Sequence, residues 1–146
     1  MKQLKTPLFT TIVMLTVTMA AQTPMASAET VKETYIKGIN IGGVDVIMTL
    51  YGDNTSIRNS DGSMVSGLEN MRKQYTIFLE NGKYTITLKN KDLKALGENH
   101  LLEGGDYVLI QKDGEKSVTN GEFVNMLKKF DDRWKIHKSY RYPVAH

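Results

Sequence analysis

Cysteine is absent from the 146-residue chain. That excludes disulfides, thiol nucleophiles, cysteine-ligated zinc and thioether-linked haem together. Histidine is scarce too: a metal site would need His100, His137 and the terminal His146 at once, so no metal and no cofactor are expected. No dense basic patch interleaved with aromatics occurs, and acidic residues separate Lys89, Lys91 and Lys94 from Lys112. A nucleic-acid footprint needs a concentrated basic face, so nucleic acid is not an expected partner. Internal repeats, low-complexity tracts and linkers are missing as well.

Long hydrophobic runs are limited to one, Leu8 to Ala21, and it follows the positive start made by Lys2 and Lys5. It is shorter than the roughly 20 residues a membrane span requires. Gln22, Thr23 and Pro24 break it, and Ala26-Ser27-Ala28 then supplies a small-x-small cleavage pattern. Residues 1–28 are therefore expected to be a cleaved signal peptide and 29–146 the exported domain, periplasmic or extracellular in a bacterium. No stable membrane insertion is expected after cleavage. Two of the 19 basic residues and none of the 16 acidic ones fall in residues 1–28, so the remainder balances at +1. The basic pI of the whole chain is thus a poor guide to partners. The remaining 118 residues suit one domain with one core, which must hold without disulfides.

Thr30-Val31-Lys32-Glu33 reads as a capping box, and Val31, Tyr35 and Ile39 recur at helical spacing until Gly42-Gly43 stops the run. A short second helix is expected over Val44, Ile47, Met48 and Tyr51, ending at Gly52. Thr55 to Asn59 reads as a short strand before the Asp61-Gly62 turn. Ser66-Gly67-Leu68-Glu69 is a second capping box, opening a helix striped by Leu68, Met71, Tyr75 and Phe78. Everything after Gly82 alternates as strand: from Tyr84, from Leu101 to Gln111, from Val118 to Phe130, and beyond Asp131-Asp132. Gly104-Gly105 inside the second of these marks a bend that lets the sheet curl. The expected class is α+β, with four antiparallel strands after the helices.

In "DDRWKIHKSYRYP", Trp134, Ile136, Tyr140 and Tyr142 share one parity, while Lys135, His137, Ser139 and Arg141 share the other. Trp134 and Ile136 are expected core anchors. On strict alternation His137 and Arg141 face the same way, either into a concave pocket or out to a dimer surface or water.

Several passages resemble the nuclear transport factor 2-like superfamily, and within it the SnoaL-like and SgcJ/EcaC group. They are "ETVKETYIKGIN", "VDVIMTLYGDNTSI", "DGSMVSGLENMRKQYTIFL", "GDYVLIQKDG" and "GEFVNMLKKFDDRWKIHKSY", together spanning roughly residues 29 to 143. The resemblance implies a cone-shaped, curved antiparallel sheet wrapped around helices, with a pocket at the open end and frequent homodimerisation through the sheet. It does not transfer an activity, because this fold hosts isomerases, dehydratases, cyclases and plain ligand binders. The calcium/calmodulin-dependent kinase association domain of the superfamily ends on a similar W-x-I strand, with an arginine seven residues after the Trp. Trp134 and Arg141 have that spacing, which implies a pocket arginine offering a fork to a carboxylate or peptide carbonyl. The match is incomplete, since Lys138 and Tyr140 stand where that relative has histidines.

Acid–base chemistry would draw on His100, His137 or Asp106. Among Asp106, Glu103 and Asp45, Asp106 is the acid expected to be partly buried, because it follows the double glycine. Its structural alternative is to bond backbone groups left unpaired at a bulge. No catalytic residue is assigned. Tyr35, Tyr51, Tyr75 and Tyr107, with Trp134, His137 and Arg141, are the expected ligand-binding set, since tyrosines suit half-wet pocket walls. Their alternative is ordinary core. The leading expectation is an exported domain binding a small molecule in a conical pocket. A pocket enzyme of isomerase, dehydratase or cyclase type and a dimeric protein-interaction module are the alternatives.

Overall fold

A computed structural model describes residues 23–144, apart from the side chain of Pro143. The apolar run Leu8–Ala21 and His146 lie outside the described residues. Helices α1 (Pro24–Ile41) and α2 (Val44–Met48) lead into strands β1 (Tyr51–Arg58) and β2 (Met64–Ser66). Helix α3 (Leu68–Glu80) follows, and then β3 (Tyr84–Ala95), β4 (His100–Gln111), β5 (Val118–Phe130) and β6 (Arg133–Pro143). No described helix is long and apolar enough to cross a membrane.

Neither capping box is used as the sequence suggests. Helix α1 starts at Pro24, whose fixed φ suits a first turn, and Thr23 accepts from the Ala26 amide at 3.3 Å. The Ala26-Ser27-Ala28 motif therefore sits within α1, with Ser27 and Ala28 buried. Thr30 donates to the Ala26 carbonyl at 3.1 Å and caps nothing. Ser66 pairs with Ser56 in β2, and Gly67 at φ 82° is the N-cap of α3. Local hydrogen bonding offered Thr30 and Ser66 as caps, but tertiary packing continued the chain through both. The C-terminus of α1 follows its signal: Gly42 is left-handed at φ 68°, and the Gly43 amide bonds back to the Gly38 carbonyl at 2.8 Å.

The six strands run β2-β1-β6-β5-β4-β3 in one sheet. The four long strands expected after Gly82 are present and antiparallel in sequence order, and β1 adds to β6 in parallel. That parallel pairing, together with β2, departs from the sequence expectation. The second helix also stops at Met48, so Tyr51 belongs to β1 and pairs with Ile136. Thr55, 2 % exposed, stitches the irregular start of β1: it accepts from the Gly52 amide at 2.9 Å and donates to the Ile136 carbonyl at 2.8 Å.

Two bulges bend the sheet. Lys91 is the extra residue of β3 opposite Gly104 and Gly105, and His137 is the extra residue of β6 opposite Met126 and Leu127. The inner face carries Leu101, Leu127, Ile136 and Phe123, and the core continues through Ile39, Ile47, Ile57 and Met71 under the helices. Helix α1 lies against β3 and β6, and α3 against β1.

Candidate ligand cavity

The bulge at His137 decides what the last strand shows to the interior. Strict alternation would place His137 and Arg141 on one face. The extra residue resets the phase, so Ile136, Ser139 and Arg141 point inward and His137 does not. They close a cavity of about 320 Å³ between sheet and helices, a size ordinary for small-molecule sites.

Three tyrosines from three elements meet Arg141 there: Tyr35 of α1, Tyr51 of β1 and Tyr75 of α3. Arg141 Nη2 donates to the hydroxyls of Tyr35 and Tyr75, both at 2.8 Å. The Tyr51 and Tyr75 hydroxyls share a 2.7 Å hydrogen bond, and their rings stack with centroids 6.0 Å apart. The guanidinium also lies over the Tyr35 ring, 5.9 Å from its centroid. Burial pushes the hydroxyls of Tyr35, Tyr51 and Tyr75 well above the ordinary tyrosine range, against the pull of Arg141, so they stay protonated. Burial works against the charge on Arg141, and hydrogen bonding to the tyrosine hydroxyls works for it, so the guanidinium stays charged. Among the described residues no carboxylate lies within ion-pair distance of this guanidinium. A half-buried cation ringed by neutral hydroxyls lacks a counter-charge, which an anionic ligand would supply.

Two residues along the strands, a second polar row crosses the cavity floor. Glu103, Asn125 and Ser139 are direct partners on β4, β5 and β6. Ser139 donates to Asn125 Oδ1 at 2.7 Å, and Asn125 Nδ2 donates to Glu103 Oε1 at 2.9 Å. Asn90 of β3 donates to Glu103 Oε2 at 3.3 Å. Glu103 is 2 % exposed. Burial raises its carboxyl above the ordinary range, against Asn125, Asn90 and Lys32, which favour the ionised form.

Of the residues singled out from the sequence, Tyr35, Tyr51, Tyr75, Tyr107 and Arg141 line this cavity. Trp134 lines a separate recess beside Lys135, Thr49 and Leu50. His137 sits on the outer side, 6.4 Å from the Phe130 ring, with burial and then Lys128 lowering its basicity. His100 does not line the cavity either. Asp106 is half-buried on the outer face in an ion pair with Lys91 at 2.7 Å, so the expectation that it is the most buried of the three acids is corrected: that acid is Glu103. The signal was present, because Glu103 shares its parity with Leu101, Tyr107 and Leu109, the otherwise apolar face of β4. Asp45 is exposed and pairs with Arg72. Asn125 and Ser139 were missed, since single polar residues on a strand carry no motif. Among the described residues no group of three potential ligands could hold a metal ion.

No family model matches the sequence, and no curated protein matches it. Solved structures do. A nuclear transport factor 2-like protein of unknown function from Shewanella oneidensis has a TM-score of 0.67 at 19 % identity, covering 82 % of this chain and 99 % of that one. This chain has the nuclear transport factor 2-like fold. A candidate calcium/calmodulin-dependent protein kinase II association domain from Xanthomonas campestris has a TM-score of 0.75 at 16 % identity, covering 86 % and 91 %. A ketosteroid isomerase-like protein from Erwinia carotovora atroseptica has a TM-score of 0.73 at 12 % identity, covering 83 % and 96 %. At these identities the likeness is one of fold. The nuclear transport factor 2-like cone accounts for the cavity lying between α1, α3 and the inner face of the sheet.

Proposed function

We propose that this chain is an exported SnoaL-like domain that binds a small anionic molecule, a carboxylate, in its conical cavity. The observation carrying this reading is Arg141: a cation turned inward, oriented by Tyr35 and Tyr75 and left without a carboxylate partner among the described residues. Export rests on the Lys2/Lys5 start, the apolar run and the Ala26-Ser27-Ala28 pattern. Homodimerisation through the outer sheet face is supported by Ile110, Val118 and Tyr142, which stand exposed there.

Pocket catalysis has one supporting observation, the buried Glu103 carboxyl, and would run through Glu103 in place of His100, His137 or Asp106. Binding is the reading preferred, because the Glu103 oxygens bond to the amides of Asn90 and Asn125, which neither give up nor take a proton.

The test is a thermal-shift titration with short alkyl carboxylates on the wild type and on Arg141→Met. A ligand at one hundred times its Kd should stabilise the wild type by about 2.7 kcal/mol and leave the variant unmoved. Equal shifts in both proteins, or none in the wild type, would sink the reading.

A further inference from the structure

The cavity has a second pole that Arg141 does not explain. Glu103 occupies the floor row, two strands across from β6 and two residues along from Arg141. That offset puts the two backbone positions roughly 12 Å apart, from strand spacings of about 4.8 Å and rises of about 3.3 Å per residue. Both side chains reach into the same cavity. Glu103 is held by neutral donors alone, one Asn amide on each oxygen, leaving acceptor capacity free on a carboxylate that can take about four hydrogen bonds. Ser139 fixes the Asn125 amide from behind, so the carboxylate is held in one orientation.

The charged groups facing Glu103 from the packed elements are Lys32 and Glu29 of α1. The Lys32 ammonium is already committed to Glu29 at 2.7 Å. No cation among the described residues lies within ion-pair distance of the Glu103 oxygens. Of the charged groups lining the cavity, Lys32 is paired with Glu29 and Asp61 accepts from Ser63, which leaves Arg141 and Glu103 each without an opposite charge within ion-pair distance and set apart by the sheet geometry.

We infer that the cavity takes a zwitterion: a carboxylate at Arg141 and a primary amine at Glu103, separated by several carbons rather than one. The inference rests on the anion site proposed above and adds to it the ligand's other end. An α-amino acid is too short to reach both poles, whereas an ω-amino acid spans them. Apolar side chains line the same cavity, Phe123 directly across from Arg141 among them, and suit the connecting methylenes.

Calorimetric titration of the full chain with ω-aminohexanoate, hexanoate and hexylamine tests this. In the wild type ω-aminohexanoate should bind at least about tenfold more tightly than hexanoate, the least a charge-assisted hydrogen bond confers. Glu103→Gln should bring the two to equal affinity, and Arg141→Met should lose both. Equal affinity of hexanoate and ω-aminohexanoate in the wild type overturns the amine pole while leaving the anion site standing, and needs no variant to fold. A preference that survives Glu103→Gln overturns it as well. Failure of every carboxylate to bind the wild type removes the anion site and this inference with it.

Discussion

Gly105→Ala should be the most damaging single-methyl change in the sheet, and Gly104→Ala the harmless control beside it. Neither glycine has a positive φ, so backbone conformation is not the reason. Space is. Gly105 lies on the inner face of β4, paired with Asn90 of β3 and Phe123 of β5. A Cβ there would overlap the Lys89 carbonyl and the Asn90 Cα, all backbone, just ahead of the Lys91 bulge. At Gly104 the nearest atoms to such a Cβ are the Phe123 carbonyl oxygen at 3.5 Å and a Val124 methyl at 3.9 Å, ordinary contacts. Overpacking costs about 1–3 kcal/mol when side chains can give way. Here two strands must part, so Gly105→Ala should lose about 3 kcal/mol, the top of that range. For a domain of this length that is roughly 12 °C in Tm. Gly104→Ala should be neutral or gain up to about 0.5 kcal/mol, since alanine loses less backbone entropy than glycine in a strand. Thermal and urea unfolding followed by circular dichroism would read both. A loss under about 1 kcal/mol for Gly105→Ala, or equal losses at both positions, would refute the close-approach argument.

Two further predictions concern buried polar groups. The Glu103 carboxyl has a folded-state pKa above its ordinary value, so its contribution to stability is complete below the ordinary carboxylate range. It is lost as pH rises through the raised value. Glu103→Gln should therefore stabilise the protein at neutral pH and lose that advantage in mild acid. The Asn90 Oδ1 atom, buried without a partner beside it, can accept from the introduced amide after a flip. Denaturant unfolding across pH would read this, and a pH-independent difference would contradict it. Thr55→Val keeps the shape of the side chain but strands the Gly52 amide and the Ile136 carbonyl. It should cost about 2 kcal/mol in the same unfolding assay, and a loss under about 0.5 kcal/mol would mean that other groups satisfy both.

Alternation and turn chemistry made most of the architecture legible. Period-two runs after Gly82, the Asp131-Asp132 turn and the Gly42-Gly43 stop each depend on neighbouring residues alone, and each is where the sequence puts it. The same local logic erred where distant partners compete. Thr30 and Ser66 look like helix caps, yet α1 runs through the first and β2 absorbs the second. Tyr51 looked helical because its spacing fits a stripe, but parallel pairing with Ile136 draws it into β1. For the site, tyrosine positions were readable as an amphipathic set, because a residue's place on a helix or strand face follows from its spacing.

Composition and periodicity by themselves determined the absence of thiol chemistry, the α+β class and the tyrosine-rich inner wall, because these are properties of residue identity and local repeat. Tertiary structure alone decided facing. One extra residue at His137, accommodated against Met126 and Leu127, turns Arg141 inward and leaves the histidine outside. Sheet register then lines Glu103 up with Asn125 and Ser139, residues 22 and 14 positions apart in the chain. Bulges and register arise from pairing between strands, and no window on a single strand contains that information.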